Sequence, residues 1–233
     1  MKQQYTFGIH AVEAVLHQHP ERIVTLYIQS ERQDKKTHAL QKLAEKADVA
    51  VELIARTLLD RMTNDANHQG VVALCEKSQA YSEADIPALL EKSQTPPLIL
   101  ILDNIQDPHN LGACFRSADA AGVNLMIAPK DKSVGLTPVV SKVASGAVES
   151  VPFVQVTNLA RTLEKLKEMG IWIYGLAGDA TQSIYQTTFS GPVAIVMGAE
   201  GEGMRRLTRE SCDVLVKIPM QGSVSSLNVS VAT

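Results

Sequence analysis

The chain is short of the features that commit a sequence to an extreme environment. Its 233 residues hold three cysteines, Cys75, Cys114 and Cys212, widely spaced and with no CxxC pair. That usage excludes a disulfide framework and a zinc finger, and it suits a reducing compartment. The longest purely aliphatic run, "LILIL" at 98–102, is far too short to span a bilayer. The opening "MKQQYTFGIH" lacks an apolar stretch followed by a small-residue cleavage site. A soluble, unexported, cytoplasmic chain is expected, with no membrane partner. Its histidines show no metal-ligand spacing, so no metal site is expected either. An excess of one charge is also missing, the net value being -3. Any binding to a polyanion must rest on local patches, such as Lys35, Lys36, Lys42 and Lys46, or Arg205 and Arg206. Taken alone, each patch reads as a solvated helix face.

What is present is a 45% apolar content, enough for substantial cores. Residues 1–77 alternate in type. "GIHAVEAVLH" puts Ile9, Val12, Val15 and Leu16 on one helical face, "IVTLYI" reads as a strand, and "KTHALQKLAEKA" reads as a second helix. "VAVELI" and "GVVALCE" supply further strands, making a small α/β domain. From 78 to 97 the pattern weakens and closes on "SQTPP", where the proline pair disfavours helix, so 78–97 is expected to be a linker. Residues 98–233 then alternate regularly. Strands are predicted at "LILILD", "NLMIAP", "PFVQV", "IWIYGLA", "VAIVMGA" and "VLVKIPM", with helices at "LGACFRSADAA", "VVSKVASGAV", "LARTLEKLKEM" and "GMRRLTRES". Unbroken aliphatic strands predict a parallel sheet covered on both faces.

Ligands of such sheets gather at the carboxyl ends of the strands. That rule selects three loops: "DNIQDPHN", "GAEGEGM" and "MQGSVSSLN". The second is GxxGxG rather than GxGxxG, and Glu200 and Glu202 inside it would repel a pyrophosphate, which argues against a dinucleotide. It suits a ligand without phosphates, one able to carry positive charge. The first loop leads into a small, apolar helix that nevertheless carries Arg116, six residues after Asn110. Arg116 could simply pair with Asp119, and Asn110 could cap a helix beginning at Leu111.

Taken together, "DNIQDPHNLGACFRSADAAG", "IVMGAEGEGM" and "IPMQGSVSSLNVSVAT" resemble, in order and spacing, the three motifs of the SpoU family of RNA ribose 2'-O-methyltransferases, in the SPOUT superfamily. The stretch opening "FGIHAVEAVL" resembles the ribosomal-protein-like RNA-binding domain that precedes the catalytic domain in members methylating a guanosine of 23S ribosomal RNA. The resemblance implies an α/β SPOUT domain with a parallel sheet and a deep trefoil knot, S-adenosylmethionine as methyl donor, 23S ribosomal RNA as partner, and a homodimer. It also implies an RNA-binding domain over 1–77 and a catalytic domain over 98–233. One departure is that the sequence stops at Thr233, where the family's last helix begins.

Carried over by position, the resemblance assigns catalysis to Asn110, Arg116, Glu200, Ser226 and Asn228. It assigns the cofactor to Gly198, Ile218 and Leu227, with Met197 and Met220 beside them. A valine at Gly198 is therefore expected to fill the cofactor's space. Arg116 is expected to clamp phosphate and ribose through its planar fork. Its guanidinium is a reluctant base, and the base role stands as the alternative. Two other functions remain open at this point: a transfer-RNA 2'-O-methyltransferase, and a catalytically silent RNA-binding or assembly protein.

Overall fold

The computed structural model describes residues 3–32, 34–76, 80–199 and 201–233. The chain divides into two compact units, Met1–Gln79 with Ser145–Ser150, and Ala80–Ala144 with Val151–Thr233. The first unit contains β1 (Gln3–Phe7), α1 (Ile9–Gln18), β2 (Ile23–Gln29), α2 (Lys35–Lys46), β3 (Val51–Ile54), α3 (Arg56–Thr63) and β4 (Val71–Glu76). Its sheet runs β1-β4-β2-β3, antiparallel except for the β2/β3 pair. Ile9, Val12, Val15 and Leu16 of α1 are buried as their spacing predicts, and they pack on Leu26, Ile28, Val71 and Ala73 of the sheet. Asp34 caps α2 by accepting from the Lys36 and Thr37 amides, and the Thr37 amide with the Arg32 guanidinium holds its carboxyl down to about 2.

The second unit begins with α4 (Ile86–Glu91) and β5 (Leu98–Leu102), then α5 (Pro108–Ala120), β6 (Leu125–Pro129) and α6 (Pro138–Ala144). A one-turn helix, α7 (Ala147–Ser150), is grouped with the first unit. The second unit resumes with β7 (Phe153–Val156), α8 (Leu159–Glu168), β8 (Trp172–Leu176), β9 (Gln182–Ser183), β10 (Val193–Met197), α9 (Arg206–Glu210), β11 (Val214–Lys217) and α10 (Val229–Ala232). Its strands pair in the order β7-β6-β5-β10-β8-β11-β9, every pair parallel. The carboxyl ends therefore share one edge. β5, β6 and β10 are buried almost throughout, as expected for strands covered on both faces.

Three expectations need correction. The stretch 78–97 is not only a linker: Ile86, Leu89 and Leu90 of α4 enter the core beside Ile99, Leu163 and Ile173. "VVSKVASGAV" is two helices, because Ser145 and Gly146 take φ of 52° and 99° and break the ladder. Only glycine suits position 146, since a Cβ there would lie 2.6 Å from the Ala14 Cβ. Finally, Asn110 does not cap α5. The helix starts at Pro108, and Asp107 is the cap, accepting from the His109 amide at 2.8 Å.

The α4 result is testable. Ile86→Ala should lower unfolding stability by about 2–5 kcal/mol, the cost of a buried cavity. Urea denaturation of the full chain measures it; a loss below that range would mean the segment packs only loosely.

Candidate functional site

At the shared carboxyl edge of the second unit lies a cleft of about 640 Å³. Leu176 and Met197, at the ends of β8 and β10, supply apolar walls. Gly198, Gly201 and Gly203 bring backbone to its side, and Ile218, Met220, Ser226 and Leu227 line it from the long segment after β11. Val229 and Ala232 of α10 complete the lining. From Met220 to Leu227 the backbone makes no hydrogen bond to any other described residue. Its amides and carbonyls are thus available to water or a ligand.

Gly198 is required for a reason its sequence position does not reveal. A Cβ there would sit 2.0 Å from the Gly203 carbonyl carbon and 2.2 Å from the Met204 nitrogen. The loop folds back on itself through two backbone hydrogen bonds between Ala199 and Gly203. A larger residue would therefore force this loop open, rather than fill the cleft as expected.

Met197, Gly198, Ile218, Met220, Ser226 and Leu227 all line the cleft. Asn110, Arg116 and Asn228 are not among its walls, and Glu200 lies outside the described residues. Asn228 is the N-cap of α10, its Oδ1 accepting from the Ser230 amide at 2.9 Å and from the Ser230 hydroxyl at 2.6 Å. α10 packs on α5. There Thr233 Oγ1 lies 3.5 Å from Cys114 Sγ and 3.1 Å from Met197 Sδ. The helix carrying Asn110 and Arg116 is thereby tied to a wall of the cleft. Arg116 is exposed and makes no ion pair or hydrogen bond with any other described residue, Asp119 included. Burial raises the Cys114 thiol and pushes Cys212 up to about 11, so both stay protonated and unreactive near neutral pH. No group of three or more His, Cys, Asp or Glu side chains among the described residues could hold a metal ion. No helix among them is long and apolar enough to cross a membrane.

Sequence reasoning missed two contributors. One is the loop after β8, whose Ala177 and Gly178 line the cleft. Applied to every strand, the carboxyl-end rule would have found it. The other is Asp103, which follows β5 directly and is fully buried. Its amide donates to the Met197 carbonyl at 2.8 Å, and its Oδ2 accepts from the Arg205 amide at 2.8 Å. Its Oδ1 has no hydrogen-bond partner among the described residues and faces Arg205 Nε at 3.5 Å. Arg205 Nη2 donates onward to the Asp131 carbonyl at 3.0 Å. One carboxylate and one guanidinium thus join the loops that follow β5, β6 and β10. An acidic residue closing an all-aliphatic strand was the available signal.

Comparisons with known proteins agree with this geometry. Residues 97–233 match the family model described as SpoU rRNA Methylase family, and residues 5–81 match the one described as RNA 2'-O ribose methyltransferase substrate binding. The chain is 55% identical over 227 residues to the 23S rRNA (guanosine-2'-O-)-methyltransferase RlmB of Pseudomonas putida, covering 97% of this chain and 91% of that protein. The protein of the same name from Shewanella oneidensis is 54% identical over 232 residues, covering 100% and 94%. Among solved structures, the SpoU methyltransferase AviRb of Streptomyces viridochromogenes, in complex with AdoMet, shares the fold. It has a TM-score of 0.77 at 24% identity and covers 99% of this chain and 86% of that one. The A. aeolicus TrmH/SpoU tRNA modifying enzyme gives 0.54 at 28% identity, covering 64% and 76%.

Removing the Asp103 carboxylate should leave the partly buried Arg205 amide without its acceptor. Asp103→Ala is expected to cost about 2 kcal/mol of unfolding stability, because a partly buried donor loses its charged acceptor. Asp103→Asn, which keeps an acceptor for that amide, should cost less. Equal stabilities in urea for all three chains would show that the loops hold together without it.

Proposed function

Since the chain belongs to the SpoU rRNA methylase family, we propose that it transfers the methyl group of S-adenosylmethionine to the ribose 2'-hydroxyl of a guanosine in 23S ribosomal RNA. The observation that carries this reading is the cleft: its walls come mostly from the second and third sequence motifs, and the helix of the first is bound to it through α10. The substrate is taken from relatives that match over essentially the whole chain. The likeness to the tRNA-modifying enzyme covers only the smaller share given above, which favours ribosomal RNA over transfer RNA. The intact motif residues favour catalysis over a silent RNA-binding role.

The cleft fits the cofactor. Its glycines and small residues let backbone approach closely, and the unpaired amides and carbonyls of 220–227 suit the edge of an adenine. Leu176, Ile218 and Leu227 offer apolar surface to the ring. When bound, S-adenosylmethionine supplies an electrophilic methyl group on a sulfonium. The chain's own residues then position the acceptor. Arg116, carrying an unpaired guanidinium on the helix beside the cleft, grips phosphate and ribose so that the 2'-oxygen is aligned with the methyl carbon. Alignment of this kind supplies a large share of rate enhancement. Asn110 and Glu200 orient Arg116, and Ser226 contacts the ribose. Asn228 acts by capping α10 and holding Ser226 and Leu227 in place. The reading includes the trefoil knot and a homodimer. The knot is supported by the tail after β11, which lines the cleft together with the ends of β8 and β10 and packs its helix α10 on α5. The dimer is supported by Val224 and Val231, 60% and 68% exposed next to cleft-lining residues.

Mapping ribose methylation in 23S ribosomal RNA from cells lacking the protein tests the activity: one guanosine should lose its mark and regain it on complementation. An unchanged map would overturn the assignment. Arg116→Lys keeps the charge and removes the fork. It is expected to slow single-turnover methylation by about a hundredfold, comparable to removing one preorganised donor. Calorimetric affinity for S-adenosylmethionine should stay near wild type. Methylation within a few-fold of wild type would mean that Arg116 is only a diffuse cation.

A further inference from the structure

Two basic patches stand out in the sequence, and the structure separates them. Arg205 is held by Asp103 and the Asp131 carbonyl, while Arg206 forms a two-point ion pair with Glu210 at 2.7 and 2.9 Å. Several other basic side chains on helices of the second unit are similarly occupied, although Arg116, Lys142 and Arg161 are exposed and have no side-chain partner among the described residues. Arg209 meets Asp179, Lys165 meets Glu83, and Lys167 meets Glu164 and Asp213. Their charge is spent within the protein. α2 differs in gathering four free ones on a single helix: the side chains of Lys35, Lys36, Lys42 and Lys46 are exposed, and none forms an ion pair or hydrogen bond with any other described residue.

The placement on α2 is ordered. Thr37, Leu40 and Ala44 are its buried residues. At 100° per residue, Lys35, Lys42 and Lys46 fall within about 40° of one another on the opposite face. Ala39, which projects little, lies between Lys35 and Lys42 on that face. The three lysines follow one another at about 10 Å and about 6 Å along the helix axis. Exposed His38 flanks them. Glu45, at the margin, is beyond ion-pair distance of every lysine on the helix. A row of unneutralised ammonium groups is complementary to a row of phosphates, and it reads no sequence.

We infer that the outward face of α2, through Lys35, Lys42 and Lys46, is a docking rail for the phosphate backbone of the RNA substrate. The inference rests on the methyltransferase reading for the nature of that substrate and adds the surface that meets it. The rail positions RNA without selecting a nucleotide. Its removal should therefore act on RNA binding and leave the chemical step alone.

The test is the full chain with Lys35→Gln, Lys42→Gln and Lys46→Gln combined, assayed on protein-free 23S ribosomal RNA. Each phosphate contact contributes about 0.7–0.9 to the slope of log affinity against log salt, so the slope should fall by about two to three. KM for RNA should rise by about tenfold or more at low salt, with kcat and S-adenosylmethionine affinity unchanged. A variant with arginine at all three positions should restore the slope, which separates charge from any effect on folding. As a control, Arg206→Gln paired with Glu210→Gln should leave the slope alone. An unchanged slope and KM in the glutamine variant would overturn the rail. So would a defect confined to assembled ribosomal particles, because the lysines would then be meeting protein. The slope is read from binding alone. RNA that binds through the rail without being methylated would defeat the proposed activity and leave the rail standing.

Discussion

The cleft depends on the contact between Asp103 and Arg205. A carboxylate without solvent exposure is costly unless its charge and lone pairs are met. Here the Arg205 amide, on the loop after β10, donates to Oδ2 and the guanidinium of the same residue offsets the charge, while Oδ1 has no hydrogen-bond partner among the described residues. Because the same guanidinium reaches the Asp131 carbonyl, three loops that leave neighbouring strands independently become one platform. Gly198 makes the complementary demand on the other side of that loop, where no side chain fits between it and Gly203. The glycine-rich wall is thus pinned at its far end by charge and folded at its near end by close backbone approach.

This arrangement divides the labour among the motifs. Over most of its length the segment after β11 makes no backbone hydrogen bond to any other described residue, so it is the part of the site best able to adapt to a ligand. In the loop after β10, by contrast, Ala199 and Gly203 are joined by two backbone hydrogen bonds. α5 supplies the cation but is itself an ordinary packed helix, with Cys114 and Phe115 buried and Phe115 edge-on to Phe153 at 5.5 Å. Its packing on α6 and α10 fixes where the helix that carries the exposed Arg116 lies.

Much of this was legible in the sequence. The strands of the second unit announced themselves because burial on both faces demands uninterrupted aliphatics, and α1 did so through its helical spacing. The cleft-lining positions came from the resemblance of the motifs. Other parts were hidden for physical reasons. β1 is largely exposed and is a strand because β4 pairs with it. α4 carries Ile86, Leu89 and Leu90 at helical spacing, but Pro87 and the nearby proline pair masked the signal. The Asp107–Pro108 pair was a stronger helix start than Asn110, since proline at the first helical position loses no needed donor. The reasons for Gly198 and Asp103 lie in contacts with residues distant in sequence or across a closed loop, which no local pattern records.

The pairing of β10 with β5 also has a consequence for how the protein is made. Leu98 of β5 finds its partner Val193 of β10 about 95 residues later, whereas β6 on its other side follows after a single helix. At about 5–20 residues per second, a ribosome exposes one edge of an almost entirely apolar strand for roughly 5–20 seconds before its neighbour has emerged. Such an edge is a template for the wrong partner. The same strand that sits at the centre of the finished sheet is thus an unpaired apolar edge in the nascent chain during those seconds.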